Sequence, residues 1–119
     1  MGLFNYPKRK LRKLAKNGDY KEAIEFGKSI EKKFAQDTDF LFIMGSIFYI
    51  LEDAKTSLSY FERVLSINPN DIETLLLKSN IQIFLQNKEL ATQCLNKILE
   101  LDPEHQEAKL LLEKISHNQ

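Results

Sequence analysis

Two consecutive segments of equal length decide the fold. Residues 38–71 read TDFLFIMGSIFYILEDAKTSLSYFERVLSINPND, and residues 72–105 read IETLLLKSNIQIFLQNKELATQCLNKILELDPEH. At an offset of 34 residues they share five identical pairs: Leu41 and Leu75, Ile47 and Ile81, Leu51 and Leu85, Leu65 and Leu99, and Pro69 and Pro103. A fixed period of this length indicates stacked supersecondary units, because one such unit is too small to bury its apolar face alone.

Each unit is expected to consist of two helices. Apolar residues recur at three- and four-residue spacing within each segment, and turn-forming residues interrupt the pattern at 17–19, 52–53 and 86–87. Asn68 and Asp102 precede prolines, so we expect them to cap helices that begin with Pro69 and Pro103. The pattern predicts seven helices, near residues 7–17, 20–35, 38–51, 54–67, 70–85, 88–101 and 104–117.

The residues at these spacings resemble the tetratricopeptide-repeat family. In the second unit the signature places of the first helix hold Leu41, Met44, Gly45 and Phe48, and the second helix follows with Ser57, Phe61 and Pro69. The resemblance implies an all-α fold, a right-handed α-solenoid of three helix-turn-helix repeats in one domain, 1–119. The repeats would span about 4–37, 38–71 and 72–105, with a capping helix at 106–117.

Four residues depart from the family pattern. Lys10 stands where an apolar residue is usual, so the first helix is expected to pack loosely or fray. Gly27 occupies the place of Phe61, which would leave a thin spot in the first hairpin. Lys78 and Gln82 replace residues that are normally buried, so their helix is expected to be rotated or partly exposed.

The resemblance also implies where a partner would bind. In the family the first helix of each repeat lines a concave inner surface. Carried over position by position, the candidate partner-binding residues are Lys8, Arg12, Phe42, Ile43, Tyr49, Ile50, Leu76, Leu77, Asn80, Ile83 and Phe84. Residues 40–51 are apolar on nearly every face, more than a helix with a single neighbour requires. We therefore expect an apolar groove that takes a helix or strand of a protein partner.

Two other interpretations of this apolar helix stay open. The helix can be plain core, with neighbours on both sides. Alternatively, the same face, with Leu3, Phe4 and Tyr6, meets a second copy of the chain and forms a homodimer. Some family members hold the acidic tail of heat-shock chaperones with inner-face Lys, Asn and Arg. Here Ile43, Glu73 and Leu77 stand in three of those places, so no such clamp is expected.

Charge is balanced overall but unevenly distributed. Lys and Arg number 17, as do Asp and Glu, yet residues 1–33 hold ten basic and four acidic side chains. The basic segment 7–16 is either a solvated helix face or a dock for an acidic partner, an anionic membrane or nucleic acid. Nucleic acid is not expected, because no aromatic interleaving or nucleic-acid motif accompanies the charge.

Enzymatic function is not expected. His105 and His117 have no clustered metal ligands, and Cys94 has no nearby histidine in sequence. The sequence holds no glycine-rich phosphate loop, so neither cofactor nor metal is predicted. The most apolar stretch, of about twelve residues, falls short of the roughly 20 needed to span a bilayer. With no secretion signal either, we expect a cytoplasmic protein-interaction scaffold or adaptor.

Overall fold

The computed structural model describes residues 2–117, with side chains from Tyr6 onward. Every regular element within that range is helical. The helices are α1 (Gly2–Lys16), α2 (Tyr20–Ile30), α3 (Thr38–Ile50), α4 (Ala54–Ile67), α5 (Ile72–Phe84), α6 (Lys88–Leu101) and α7 (Gln106–His117). The predicted number and order of helices are confirmed. Over the same range, no helix is long and apolar enough to cross a membrane.

The chain forms two compact units. The first, residues 1–67, contains α1 to α4, and the second, residues 68–119, contains α5 to α7. Successive helices pack together within each unit, as α1 does with α2, α3 with α4, α5 with α6, and α6 with α7. The boundaries of the individual repeats stay a prediction.

The core of the first unit is built from one face of each of its helices. It comprises the buried side chains of Leu11, Ala23, Phe40, Leu41, Met44, Ile47, Tyr60 and Val64. The second unit buries Leu75, Ile81, Ala91, Cys94, Leu95, Ile98 and Ala108. Leu51 is 46% exposed, because it follows the last residue of α3, where the chain turns away.

The hairpin turns repeat the same bonding pattern three times. The N–H groups of Asp19, Asp53 and Asn87 donate to carbonyls five residues earlier, at 2.8–2.9 Å. The residues before them, Gly18, Glu52 and Gln86, have φ angles of 82°, 61° and 64°. This is the Schellman arrangement, in which a left-handed residue ends the helix and satisfies its last carbonyls. The turns expected at 17–19, 52–53 and 86–87 therefore have a common geometry.

The expected caps of α5 and α7 are wrong by three residues. The Asn68 carboxamide oxygen accepts from the N–H of Asn70, and Asp102 likewise accepts from Glu104, both at 3.3 Å. These bonds form turns around the prolines. The helices start later, where Asp71 caps α5 through Thr74 and the His105 imidazole accepts from the N–H of Ala108 at 3.1 Å.

Two other helix ends differ from expectation. Helix α1 begins at Gly2, with Pro7 inside it, where the missing N–H removes one bond from the helical ladder. Helix α2 ends at Ile30, whereas helix was expected to 35. Beyond it, bonds between residues three apart, such as Lys33 to Ile30 and Asp37 to Phe34, replace α-helical bonding and lead the chain into α3.

Of the four residues that depart from the family pattern, three are accommodated by neighbouring side chains. A Cβ atom added to Gly27 would overlap Met44 and lie 3.5 Å from Leu11, so the expected thin spot is filled. The Lys10 ammonium lies 4.5 Å from the centre of the Phe26 ring, a cation–π contact. Gln82 is only 5% exposed, so this polar residue is buried like the residues it replaces. Its side-chain oxygen accepts from the Asn87 amide at 2.9 Å.

Candidate functional site

The apolar helix α3 is bound closely to α4, and this contact decides which of its side chains remain available. The Ser57 hydroxyl donates to the Gly45 carbonyl at 2.8 Å, a buried bond between the two helices. A Cβ atom on Gly45 would lie 2.5 Å from the Phe61 ring, so only glycine permits this approach. Phe42 lies on the same side, with its ring centre 5.7 Å from that of Phe61.

Two candidate residues of α3 are therefore engaged within their own unit. Phe42 and Ile43 are half-buried and pack against the core of the first unit. Tyr49 is half-buried as well. Ile50, the last residue of α3, differs from these three because 54% of its surface is exposed. It is the candidate residue of α3 most accessible to a partner.

Lys8 is held by carboxylates of its own chain. Its ammonium lies 2.9 Å from the Asp37 carboxylate and 3.5 Å from that of Asp39. Asp37 also accepts from the N–H of Phe40 at 3.1 Å, which caps α3. The pair thus joins α1 to the start of α3. Arg12, the other candidate on α1, is exposed.

This ion pair shifts the pKa of both partners toward the charged forms. The hydrogen bond to Asp37 raises the pKa of Lys8, against a smaller effect of burial that lowers it. For Asp37, burial raises the pKa, but the bonds from Lys8 and Phe40 outweigh it, so the pKa lies below the ordinary value. Lys8 is thus a charged structural contact as well as a candidate site residue.

The second unit places its candidates in a similar order along α5. Leu76, Leu77, Asn80 and Ile83 are half-buried. Phe84, the last residue of α5, is 67% exposed. It is the most exposed of the large apolar side chains in the part of the chain whose side chains are described.

The exposed candidates occupy equivalent positions in two repeats. Ile50 and Phe84 are 34 residues apart, and each ends the first helix of its repeat. The next residues, Leu51 and Leu85, are 46% and 42% exposed. Each pair therefore presents two apolar side chains immediately before a hairpin turn. Leu51 and Leu85 were not among the predicted site residues, although their identity at the 34-residue offset was a visible signal.

The potentially reactive side chains are dispersed over the described part of the chain. Within the described part of the chain, no group of three or more His, Cys, Asp or Glu residues is placed to hold a metal ion. Cys94 is buried, and His105 caps α7. The most exposed large apolar side chains are those of Phe84, Leu110, Tyr6 and Ile50, and exposed basic side chains lie along α1.

Comparison with known proteins identifies the repeat. The family profile described as tetratricopeptide repeat matches residues 49–115, more than half of the chain. Among curated proteins, none matches.

Solved structures share the fold. The first tetratricopeptide domain of Spaghetti (RPAP3), bound to the HSP90 peptide SRMEEVD, has a TM-score of 0.84 and 24% identity, covering 94% of this chain and 89% of that one. The corresponding domain of human RPAP3 has a TM-score of 0.81 and 23% identity, covering 98% and 91%. A tetratricopeptide-repeat protein from Parabacteroides merdae has a TM-score of 0.86 and 25% identity over 94% of this chain, which spans 45% of that protein.

These matches confirm the expected all-α helical-repeat solenoid fold. The 34-residue period, the three equivalent hairpin turns and the profile match agree with one another. The chain belongs to the tetratricopeptide-repeat family.

Proposed function

We propose that this chain is a non-enzymatic protein-interaction module, a scaffold or adaptor that binds a peptide or helix of a protein partner. The candidate residues on the first helices provide the binding surfaces, with Ile50 as the principal anchor of the first unit and Phe84 as that of the second. The observation that carries the proposal is the exposure of these two large apolar side chains, 54% and 67%, at equivalent positions of successive repeats.

Burial of these two side chains by a partner would contribute to the binding free energy. Covering a Phe or Ile side chain that was exposed is worth roughly 1.5–3 kcal/mol. Aromatic side chains that enter a partner's pocket commonly carry a large share of binding energy. Phe84 and Ile50 are partly buried already, so each would contribute only part of that amount. Two such anchors suit binding of moderate strength.

A similarly folded domain, that of Spaghetti, is bound to the acidic peptide SRMEEVD. The likeness supports peptide binding as the general activity. It does not favour the same mode here, because Asp37 and Asp39 already neutralise Lys8 and Ile43 and Leu77 offer no charge. We therefore propose a partner segment with apolar anchor residues.

Self-association through the same face is the alternative. Its proposed participants Leu3 and Phe4 have side chains outside the described residues, whereas Tyr6 is 55% exposed. Sedimentation at several protein concentrations distinguishes the two: a tight dimer whose formation is abolished by Phe84→Ser favours self-association. The homodimer and the cytoplasmic location stay predictions.

Selection from a displayed peptide library tests the proposal. Peptides selected on the wild-type chain are then measured by calorimetry against Phe84→Ser, Ile50→Ser and Leu90→Ser. Leu90 is a matched control, because it is 44% exposed but lies on α6, the second helix of its repeat. Ile43 is unsuitable for this purpose, since its side chain packs on the core and its replacement would destabilise the fold.

We expect Phe84→Ser to weaken binding about tenfold or more, a loss of about 1.4 kcal/mol. Ile50→Ser should act in the same direction, and Leu90→Ser should leave affinity within about twofold. Circular dichroism should show unchanged helicity in all three variants. Equal affinity of wild type and Phe84→Ser for every selected peptide would contradict the proposal, as would failure to select any peptide.

A further inference from the structure

A second exposed surface lies on α1 and has a different chemistry. Six of the residues in α1 are Lys or Arg, and none is Asp or Glu. Lys8 is paired with Asp37 and Asp39. Within the described side chains, Arg9 and Lys13 have no carboxylate partner. The charge at these two residues is therefore available to a ligand.

These cations border an open cleft of about 490 Å³. Arg9, Lys10 and Lys13 supply its charge, and Tyr6 and Leu14 supply apolar surface. Leu14 is half-buried against the core, and the Lys10 ammonium rests on the Phe26 ring, so this part of the cleft is fixed by the fold. Tyr6 is 55% exposed.

We propose that this cleft binds an acidic segment of a protein partner. The segment would place an apolar side chain against Tyr6 and Leu14 and carboxylates against Arg9 and Lys13. Arginine suits this role because its guanidinium can bond both oxygens of one carboxylate. The inference does not depend on the apolar site at Ile50 and Phe84, and it uses different residues.

The length of the cleft fits a short peptide. Its lining runs from Tyr6 to Asn17, which on a helix corresponds to about 16 Å. An extended chain advances about 3.3 Å per residue, so about five residues of a partner would follow the cleft. Such a segment can carry acidic residues on both sides of one apolar residue.

A peptide fits these features better than other anionic partners. Anionic lipid recognition uses clusters of about four to eight Lys or Arg, so it would engage exposed Arg12 and Lys16 as much as Arg9 and Lys13. Nucleic acid binding grows with the number of phosphates neutralised, and the cleft offers only three cations. In the cleft, Tyr6 and Leu14 lie beside Arg9 and Lys13, which suits a short segment that carries both apolar and acidic side chains.

Fluorescence anisotropy tests the proposal with a labelled peptide that has glutamates on both sides of a single phenylalanine. A second probe replaces the phenylalanine with glycine. Each is titrated with wild type, Arg9→Ala, Lys13→Ala, Tyr6→Ala and Lys16→Ala. Lys16→Ala is the matched control, because it removes an exposed charge from the same helix but outside the cleft.

We expect saturable binding by wild type, weakened about tenfold by Arg9→Ala and by Lys13→Ala, and within about twofold for Lys16→Ala. Raising the salt concentration from about 50 to about 300 mM should weaken the binding of the peptide by wild type. Tyr6→Ala should weaken the phenylalanine peptide but not the glycine peptide. Phe84→Ser should leave both unchanged, which separates this test from that of the apolar site.

Three outcomes would overturn the inference. An equal loss with Lys16→Ala and Arg9→Ala would show unspecific attraction or use of another face of α1. Absence of saturable binding to the phenylalanine peptide would remove the cleft as a peptide site. Tighter binding to phosphatidylserine vesicles or to a single-stranded RNA of comparable charge would assign the basic surface to one of those partners instead.

Discussion

At two facing positions of the helix hairpin, the large and the small residue are swapped between the first repeat and the second. In the first repeat Leu11 lies against Gly27, and in the second Gly45 lies against Phe61, at the same two positions of the 34-residue period. Each pair keeps its helices in close contact, because one partner lacks the side chain that the other supplies. The two facing positions together therefore hold a similar side-chain volume in both repeats, although the residue at each single position differs.

Alanine should be tolerated better at Gly27 than at Gly45. At Gly45 the new Cβ would meet the fully buried Phe61 ring, and such overpacking costs about 1–3 kcal/mol, against a gain of about 1 kcal/mol in helix propensity. At Gly27 the nearest atoms are the flexible end of Met44, which can move aside. Urea unfolding should show Gly45→Ala less stable than wild type and Gly27→Ala equal or more stable. Equal stabilities of the two variants would contradict this account.

The left-handed residues of the hairpin turns offer a second test at this scale. A residue other than glycine costs roughly 1–2 kcal/mol in this conformation, whereas glycine costs about 0.5–1 kcal/mol in chain entropy. Glu52→Gly and Gln86→Gly should each raise the free energy of unfolding by up to about 1 kcal/mol, and Gly18→Ala should lower it. Glu52→Ala is the control, since it keeps the strained backbone. If it stabilises as much as Glu52→Gly, the side chain and not the backbone is responsible.

At the scale of elements, a polar cluster joins α4 to the turns that follow α2. Glu31 accepts a hydrogen bond from the Tyr60 hydroxyl at 2.6 Å and one from the Arg63 guanidinium at 2.9 Å. The guanidinium also lies 5.2 Å from the centre of the Tyr60 ring. Sequence reasoning missed this cluster because its members are about 30 residues apart and none belongs to the family signature. Only the folded structure brings them together.

This cluster makes the first unit sensitive to acid. Burial raises the pKa of Glu31, but the bonds from Tyr60 and Arg63 outweigh that effect and hold the pKa below its ordinary value. Burial and the bond to Glu31 both raise the pKa of Tyr60. A carboxylate with a lowered pKa stabilises the fold at neutral pH, and that contribution is lost as pH falls through its folded value. Stability should therefore decline as the pH drops below about 4.

Glu31→Gln checks this assignment. The variant should be less stable than wild type at neutral pH by about 1–2 kcal/mol, because a charged acceptor is lost. Its stability should fall less between neutral pH and about pH 3, since one titrating group is removed. Urea unfolding at the two pH values measures both effects. An unchanged pH dependence would place the acid sensitivity elsewhere, with Asp37 as the next group whose pKa is lowered.

At the scale of the whole molecule, the repeat period made the architecture predictable. Pro69 and Pro103, together with the pairs of identical leucines, fixed the length of the unit and hence the number and order of helices. The helix starts were less predictable, because Asn68 and Asp71 are both good caps and only the folded chain shows that Asp71 is used.

Only part of the candidate site could be predicted from the repeat period. A period shows which positions correspond, but it does not show which of them other side chains cover. Ile43 and Phe84 therefore looked alike in sequence, whereas Ile43 packs on the core and Phe84 is 67% exposed. Lys8 looked like a binding cation, yet two carboxylates at the start of α3 hold it.

The central claim is that this repeat protein binds a partner through the exposed ends of its first helices. NMR with a selected peptide tests it most directly, by mapping amide shift changes onto the sequence. The account predicts the largest changes around Ile50 and Phe84, and none of comparable size at Leu90 or elsewhere on α4 and α6. Changes concentrated on α4 and α6, with Ile50 and Phe84 unaffected, would contradict it.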